Sequence, residues 1–249
     1  MKCIVLAAGY ATRLYPLTEK FPKPLLPVGG RPILNWLLDD IDTFPEIDEH
    51  IIISNHKFIA HFENWKKDQR LQKPITILDD GSEDNEHRLG AVRDILYAME
   101  SLELEDDLLV IAGDNVLDFS LAGFVKYMQE KESPCVMCHE ENDLEKQRKT
   151  AIIVRNENGM ITSYEEKPQN PRGNLAVPPF YCYRAQDAKR IREALSSGCG
   201  ADAPGSFAAW LSRHTEEYAW IMPGKRYDIG DRKSYDEVCE IFGSILKFV

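Results

Sequence analysis

The stretch Cys3-Ile4-Val5-Leu6-Ala7-Ala8-Gly9-Tyr10-Ala11-Thr12-Arg13 decides the fold. Its opening is wholly apolar, with no polar alternation. A strand of that kind is covered on both faces, as in a parallel sheet flanked by helices. It runs directly into a turn of small residues, where backbone N–H groups can approach an anion closely. Neither G-x-G-x-x-G nor G-K-[ST] follows, so this is not a dinucleotide fingerprint or a Walker A loop.

Working outward, apolar runs alternate with helical patterns. Residues 33–41 carry Ile33, Leu34, Leu37, Leu38 and Ile41 at helical spacing. His50-Ile51-Ile52-Ile53-Ser54 reads as a second strand and residues 58–65 as a helix. Ile75-Thr76-Ile77-Leu78 is a third strand, closed by the turn Asp79-Asp80-Gly81. A helix over 89–99 precedes the wholly apolar Leu108-Leu109-Val110-Ile111-Ala112. This alternation predicts an α/β fold: a Rossmann-like, doubly wound, mixed and mainly parallel sheet flanked by helices. The later half is more mixed. Ala151-Ile152-Ile153-Val154 and residues 160–164 flank Asn156-Glu157-Asn158-Gly159, a strong hairpin signal. Residues 180–183 and 218–222 read as strands, and residues 231–248 as a closing amphipathic helix. Residues 196–205 form a loop of small residues.

The 249 residues are 43% hydrophobic, enough for a substantial core. A formal net charge of -11 argues against nucleic-acid partners, which need a local basic patch. No segment approaches the roughly 20 apolar residues that span a bilayer, so no membrane partner is expected. The first residues look superficially like a signal peptide, but the apolar run is short and reads better as a buried strand. Six scattered cysteines do not form a disulfide framework. Cys135 and Cys138 make a C-x-x-C pair, but odd spacing on a strand turns them to opposite faces. Reduced, structural thiols and a cytoplasmic location are the expectation.

Beyond the turn, Pro16, Pro22, Pro24 and Pro27 fix φ and exclude a continuous helix. A stiff loop therefore carries Arg13 and Lys23 beside the glycine turn, an arrangement suited to phosphoryl chemistry. The run L-A-A-G-x-x-T-R-L-x-P-L-T…P-K-P-L-L-P-V resembles the signature of the sugar-phosphate nucleotidyltransferases, also called nucleoside-diphosphate-sugar pyrophosphorylases. The resemblance implies the nucleotide-diphospho-sugar transferase fold over residues 1–249 as a single domain, with a nucleotide-binding half (1–115) and an acceptor-binding half (116–249). It implies that Arg13 binds the triphosphate, that Lys23 contacts the reacting phosphates, and that Leu6, Ala7, Ala8, Gly9 and Thr12 join Arg13 in the nucleotide site. Ala11 departs from the pattern, which usually has a second Gly there.

Further motifs follow in the family's order. Leu89-Gly90-Ala91 resembles the turn that receives the nucleobase, and Asn85 stands where a base-reading amide often lies. Ala112-Gly113-Asp114-Asn115 ends an apolar strand, where ligands of open α/β sheets bind. A carboxylate there suits Mg²⁺, a hard cation that bridges phosphates. Glu165-Glu166-Lys167-Pro168 resembles the acceptor motif, implying that Glu166 holds hydroxyls and Lys167 the acceptor phosphate. Val177 lies in the segment that aligns with the family's acceptor site, where Pro178 and Pro179 remove two backbone donors. Tyr227-Asp228-Ile229-Gly230 resembles the late motif whose Asp is the second magnesium ligand.

The implied reaction joins an NTP to a sugar 1-phosphate and releases pyrophosphate, with Mg²⁺ as cofactor. A cytidylyltransferase acting on phosphocholine or another non-sugar phosphate stays open, since Phe180, Tyr181, Tyr183, Trp210, Trp220 and Tyr227 could supply an aromatic cage. A non-catalytic sensor of nucleotide-sugars is a third reading. Association into homo-oligomers is also open.

Overall fold

The computed structural model describes residues 1–245. In chain order its strands are β1 (Lys2–Leu6), β2 (Pro27–Val28), β3 (Arg31–Pro32), β4 (Glu49–Ser54), β5 (Ile75–Asp79), β6 (Leu108–Ala112), β7 (Asn115–Leu117), β8 (Cys135–Glu140), β9 (Ala151–Arg155), β10 (Ile161–Glu166), β11 (Leu175–Val177), β12 (Phe180–Tyr183), β13 (Tyr218–Ile221) and β14 (Arg226–Asp228). The helices are α1 (Ile33–Ile41), α2 (Ile59–Lys67), α3 (Ala91–Ser101), α4 (Ala122–Lys131), α5 (Leu144–Gln147), α6 (Ala185–Ala188), α7 (Ile191–Ser196), α8 (Gly205–Leu211) and α9 (Arg232–Ile245). Residues 246–248 of the expected last helix lie outside the described residues. No helix among the described residues is long and apolar enough to cross a membrane.

The chain divides into two compact units that interleave along the sequence. The first comprises Met1–Ile4, Leu89–Ile111 and Leu121–Pro223. Its strands run in the order β10-β9-β11-β8-β12-β6, with β13 added to β8. β8 and β13 are parallel. The β9–β10, β11–β8, β11–β9, β12–β6 and β12–β8 pairs are antiparallel. Gly159 takes φ 86° in the expected turn between β9 and β10, a conformation that glycine adopts without cost. Cys135 and Cys138 on β8 are both buried free thiols. Burial pushes the Cys138 thiol up to about 11, so it is inert at neutral pH.

The second unit comprises Val5–Arg88, Ala112–Ser120 and the chain from Gly224 onward. Here β4 and β5 pair in parallel, residue for residue from His50–Ile75 to Ser54–Asp79. A further apolar cluster joins Leu14, Leu26, Val28, Ile33, Val116, Ile229, Val238 and Phe242. It fastens the proline-rich loop, α1, β7 and α9 to one another. Fully burying a Leu, Ile or Phe side chain stabilises by about 1.5–3 kcal/mol, so this cluster can hold an irregular loop in one conformation. The sheet is mixed and flanked by helices, as the sequence implies. Strands β6 and β12 of the first unit, and β4 of the second, are buried almost throughout, which is why they show no polar alternation.

Candidate active site

The second unit contains a cavity of about 250 Å³. Of the residues singled out in the sequence, Leu6, Ala7, Gly9, Arg13, Lys23, Asp114 and Asp228 line it. They come from three distant parts of the chain, and each is delivered by a local device.

The floor is the turn after β1. The N–H of Ala7 is spent on Ile53 O at 3.0 Å, but those of Ala8, Gly9, Tyr10 and Ala11 find no acceptor among the described residues. A run of free N–H groups in a small-residue turn favours an anion. The turn is held from outside: Asn55 Nδ2 donates to Ala8 O at 2.9 Å and Tyr10 OH to Ser82 O at 2.9 Å. Ala11 sits at φ 46°, ψ 43°, in the left-handed region. Its cost is therefore a strained backbone as well as an added methyl group, and it explains why glycine is the usual choice there. Thr18 steadies the bend by donating to Ala11 O at 2.8 Å.

Thr12–Leu14 forms a 3-10 turn that presents Arg13, while Leu14 is buried. Arg13 is exposed and makes no ion pair among the described residues, so its charge is available to a ligand. A second 3-10 turn, Lys23–Leu25, buries Lys23. Its ammonium donates to Asp114 Oδ2 at 2.5 Å.

Asp114 and Asp228 line the same cavity, and β14 pairs antiparallel with β7 so that Asp228 stands opposite Asn115, the residue after Asp114. Directly opposed residues lie only about 4.5–5.5 Å apart at Cα. Two residues that sequence reasoning missed tie this corner together. Asn115 is fully buried and donates to Asp114 Oδ1 at 2.9 Å. Arg226 donates to Asn115 Oδ1 at 2.7 Å and pairs with Asp228 Oδ1 at 3.2 Å. A signal for Arg226 was present, because positions i and i+2 of a strand share a face. Gly113 is required here: a Cβ would lie 2.9 Å from Val5 Cγ1.

Two carboxylates without thiolate or imidazole form a donor set for a hard cation such as Mg²⁺. Among the described residues no group of three His, Cys, Asp or Glu could hold a metal. The donors thus fit an ion that takes its remaining ligands from phosphate and water.

The other predicted residues are placed as follows. Thr12 starts the 3-10 turn beside Arg13. Asn85 lies in the exposed loop after β5, where its Oδ1 accepts from Arg88 Nη1 at 3.1 Å. Gly90, Glu166, Lys167 and Val177 belong to the first unit. Gly90 has φ 92°, and a Cβ on it would lie 2.6 Å from Ala201 O, so only glycine fits. Burial pushes the Glu166 carboxyl up, and Lys167 draws part of the shift back. Gly205 leaves room beside Glu166, since a Cβ there would lie 2.8 Å from Glu166 Oε2. Lys167 is exposed, with φ 47°. The Val177 carbonyl accepts from Thr150 Oγ1 at 3.4 Å. The aromatic residues considered for a cage are packing groups: Tyr181 stacks on Tyr183 at 5.9 Å and Trp220 on Phe124 at 5.7 Å. Trp210 lies 6.4 Å from Phe207, and Tyr227 meets Phe242 edge-on at 5.2 Å.

Known proteins resemble the chain in sequence and in fold. The chain is 30% identical over 186 residues to the UTP–glucose-1-phosphate uridylyltransferase AglF of Haloferax volcanii, covering 74% of this chain and 72% of that one. It is 32% identical over 183 residues to the bifunctional protein GlmU of Methanococcus aeolicus, covering 73% of this chain and 39% of that longer one. A crystal structure of UDP-glucose pyrophosphorylase with UDP-glucose shares the fold, with a TM-score of 0.81 at 22% identity over 98% of each chain. The family model for nucleotidyl transferases matches residues 2–242, and the chain belongs to that family, among the sugar-phosphate nucleotidyltransferases.

Proposed function

We propose that the chain transfers a nucleotidyl group from an NTP to a sugar 1-phosphate, giving an NDP-sugar and pyrophosphate. One observation carries the reading: a single cavity joins the free N–H groups of the glycine turn, the unpaired Arg13, and Lys23, Asp114 and Asp228. Its relatives support the choice of acceptor, since AglF bears the name of an enzyme acting on glucose 1-phosphate.

In this reading an acceptor phosphate oxygen forms a bond to the α-phosphorus of the NTP. The bond from that phosphorus to the bridging oxygen breaks, and pyrophosphate leaves with the electron pair. Two polyanions must meet, so neutralisation and positioning carry most of the rate. The turn N–H groups and Arg13 hold the triphosphate, and Lys23 steadies charge at the reacting phosphates. The acceptor phosphate is largely ionised near neutral pH, so no general base is needed, in keeping with a cavity free of histidine. Asp114 and Asp228 would hold Mg²⁺, which supplies further neutralisation of phosphate charge. Asn85 and Gly90 are proposed to receive the base, and Glu166, Lys167 and Val177 the acceptor. A cytoplasmic location goes with this reading, because NTPs are available there.

The test is a matrix of NTPs against phosphorylated acceptors, scored by pyrophosphate release with magnesium. Lys23→Ala should lower turnover by about a hundred- to a thousand-fold while the fold survives. Near-normal turnover in that variant would remove Lys23 from the mechanism. No release with any sugar 1-phosphate, but release with an amino-alcohol phosphate, would transfer the reading to a non-sugar acceptor.

A further inference from the structure

Two glycines of the first unit differ in what a side chain on them would meet. At Gly90 a Cβ would strike backbone, with Ala201 O at 2.6 Å and Ala201 C at 2.9 Å. At Gly205 the nearest atoms are all side-chain ends: Glu166 Oε2 at 2.8 Å, Tyr164 OH at 3.0 Å and Tyr181 OH at 3.3 Å. Three oxygens thus converge on the space that Gly205 leaves open. Its backbone is tied down and cannot retreat from them. The carbonyls of Ala201 and Asp202 accept from Val92 N–H at 2.9 Å and Ala91 N–H at 3.2 Å, which are early N–H groups of α3 with no partner inside that helix. Pro204 holds φ at -61°, and Ser206 N–H closes a turn onto Ala203 O at 3.0 Å. The two phenols belong to buried, close-packed rings. Glu166 is partly exposed and can turn. The Tyr164 hydroxyl is buried and has no hydrogen-bond partner among the described residues, a costly state for a polar group.

We propose that Gly205 and Tyr164 determine acceptor specificity by positioning Glu166: the glycine leaves the carboxylate its place, and the Tyr164 phenol backs it in one orientation. The inference rests on the reading of Glu166 as the group that holds acceptor hydroxyls. Both are positioning residues, since each acts through Glu166. The phenol and carboxylate oxygens lie within 3.0 Å of one point, close enough for a single water or a small turn of Glu166 to join them. An alanine at position 205 would find backbone and rings fixed, so the Glu166 side chain must give way. Turning a flexible, partly exposed carboxylate disturbs the fold little. Its hydrogen bond to a hydroxyl is lost all the same, because such bonds weaken steeply away from their preferred angle. Tyr164→Phe keeps the ring in its packing and removes only the hydroxyl behind the carboxylate.

Discrimination among acceptors tests the proposal in the full chain. The measured quantity is kcat/KM for glucose 1-phosphate divided by that for each of its monodeoxy analogues, followed by pyrophosphate release. A site that hydrogen-bonds a hydroxyl rejects the analogue lacking it, so the ratio reports the hold of Glu166 on that hydroxyl. Gly205→Ala should lower the ratio about tenfold or more for at least one analogue, through the acceptor KM, with kcat changed by less than about threefold. Tyr164→Phe should lower the same ratio about two- to tenfold, and it stands as a test even where the glycine variant folds poorly. Gly200→Ala lies in the same segment, its Cβ would meet only Ser206, and it should leave the ratio unaltered. A merely structural role would lower kcat/KM for every acceptor alike and leave the ratio as it was. Unchanged ratios in both Gly205→Ala and Tyr164→Phe would overturn the proposal. If Glu166→Ala nonetheless lost the discrimination, the assignment of Glu166 to the acceptor would stand while the positioning fell. If Glu166→Ala also left the ratio unaltered, both would fall.

Discussion

Replacing Asn115 with alanine should destabilise the protein and loosen both aspartates together. The buried amide makes three hydrogen bonds: to Asp114 Oδ1 at 2.9 Å, to Ala112 O at 3.3 Å and from Arg226 Nη1 at 2.7 Å. The bond to Ala112 is long and contributes little. The other two have charged partners, and such bonds contribute about 1.5–3 kcal/mol each. Asp114 and Arg226 keep 33% and 17% of their side-chain exposure, so water can replace part of what is lost. The expected cost is therefore about 2–4 kcal/mol, toward the low end of the sum. Urea unfolding at neutral pH measures it, read as a lower midpoint at constant slope. A double-mutant cycle with Arg226→Met isolates the Arg226 bond and should give a coupling of about 1–2 kcal/mol. Under the proposed role of Asp114 in holding Mg²⁺, turnover should fall about 10- to 100-fold, the usual effect of removing a partner that orients such a group. A stability loss below about 1 kcal/mol, or zero coupling, would show that Asn115 does not link the two strands as its geometry indicates.

Ala11→Gly should stabilise the chain by about 0.5 kcal/mol, because relief of left-handed strain outweighs the added freedom of the unfolded glycine; a lower thermal midpoint would contradict the strain. Gly113→Ala should cost about 1–3 kcal/mol, since its Cβ would lie 2.9 Å from Val5 Cγ1 in a close-packed corner; calorimetry would detect it, and an unchanged midpoint would refute it. Acid should weaken the fold in two stages. His50 is buried against Asp42, and desolvation holds its imidazole below the ordinary value of 6.5 despite that carboxylate. The unfolded chain then takes up a proton that the folded form refuses, so stability present above pH 6.5 is lost as pH falls through the lower folded value. Burial pushes the Asp42 carboxyl up, but the N–H groups of Gln72 and Lys73 together with His50 hold it below 3.8, giving a second loss at lower pH. Urea midpoints against pH should show the first limb flattened in His50→Gln, and an unaltered profile would refute the assignment.

Much of the site was legible because its parts are local. Gly9, Arg13 and Lys23 lie within one short stretch whose prolines restrict the backbone and whose glycine lets it turn, whatever packs against it. Asp114 could be read as well, since it follows an apolar strand that can only be central. Asn115 and Arg226 were not legible as a pair. A buried amide between charged groups has no periodicity, and its value appears only once the two strands are paired.

The sequence by itself determined the α/β class, the small-residue turn after the first strand and the hairpin at Gly159, because apolar patterning, proline φ restriction and glycine freedom act over a few residues. Only the tertiary structure decided that Lys23 closes on Asp114, that Asp228 stands opposite Asn115, and that the two compact units interleave along the chain. Those choices belong to contacts between residues that are about a hundred positions apart. They are fixed by the ladder of β7 with β14 and by the burial of Leu14, Val116 and Ile229 in one cluster, so no local pattern can encode them.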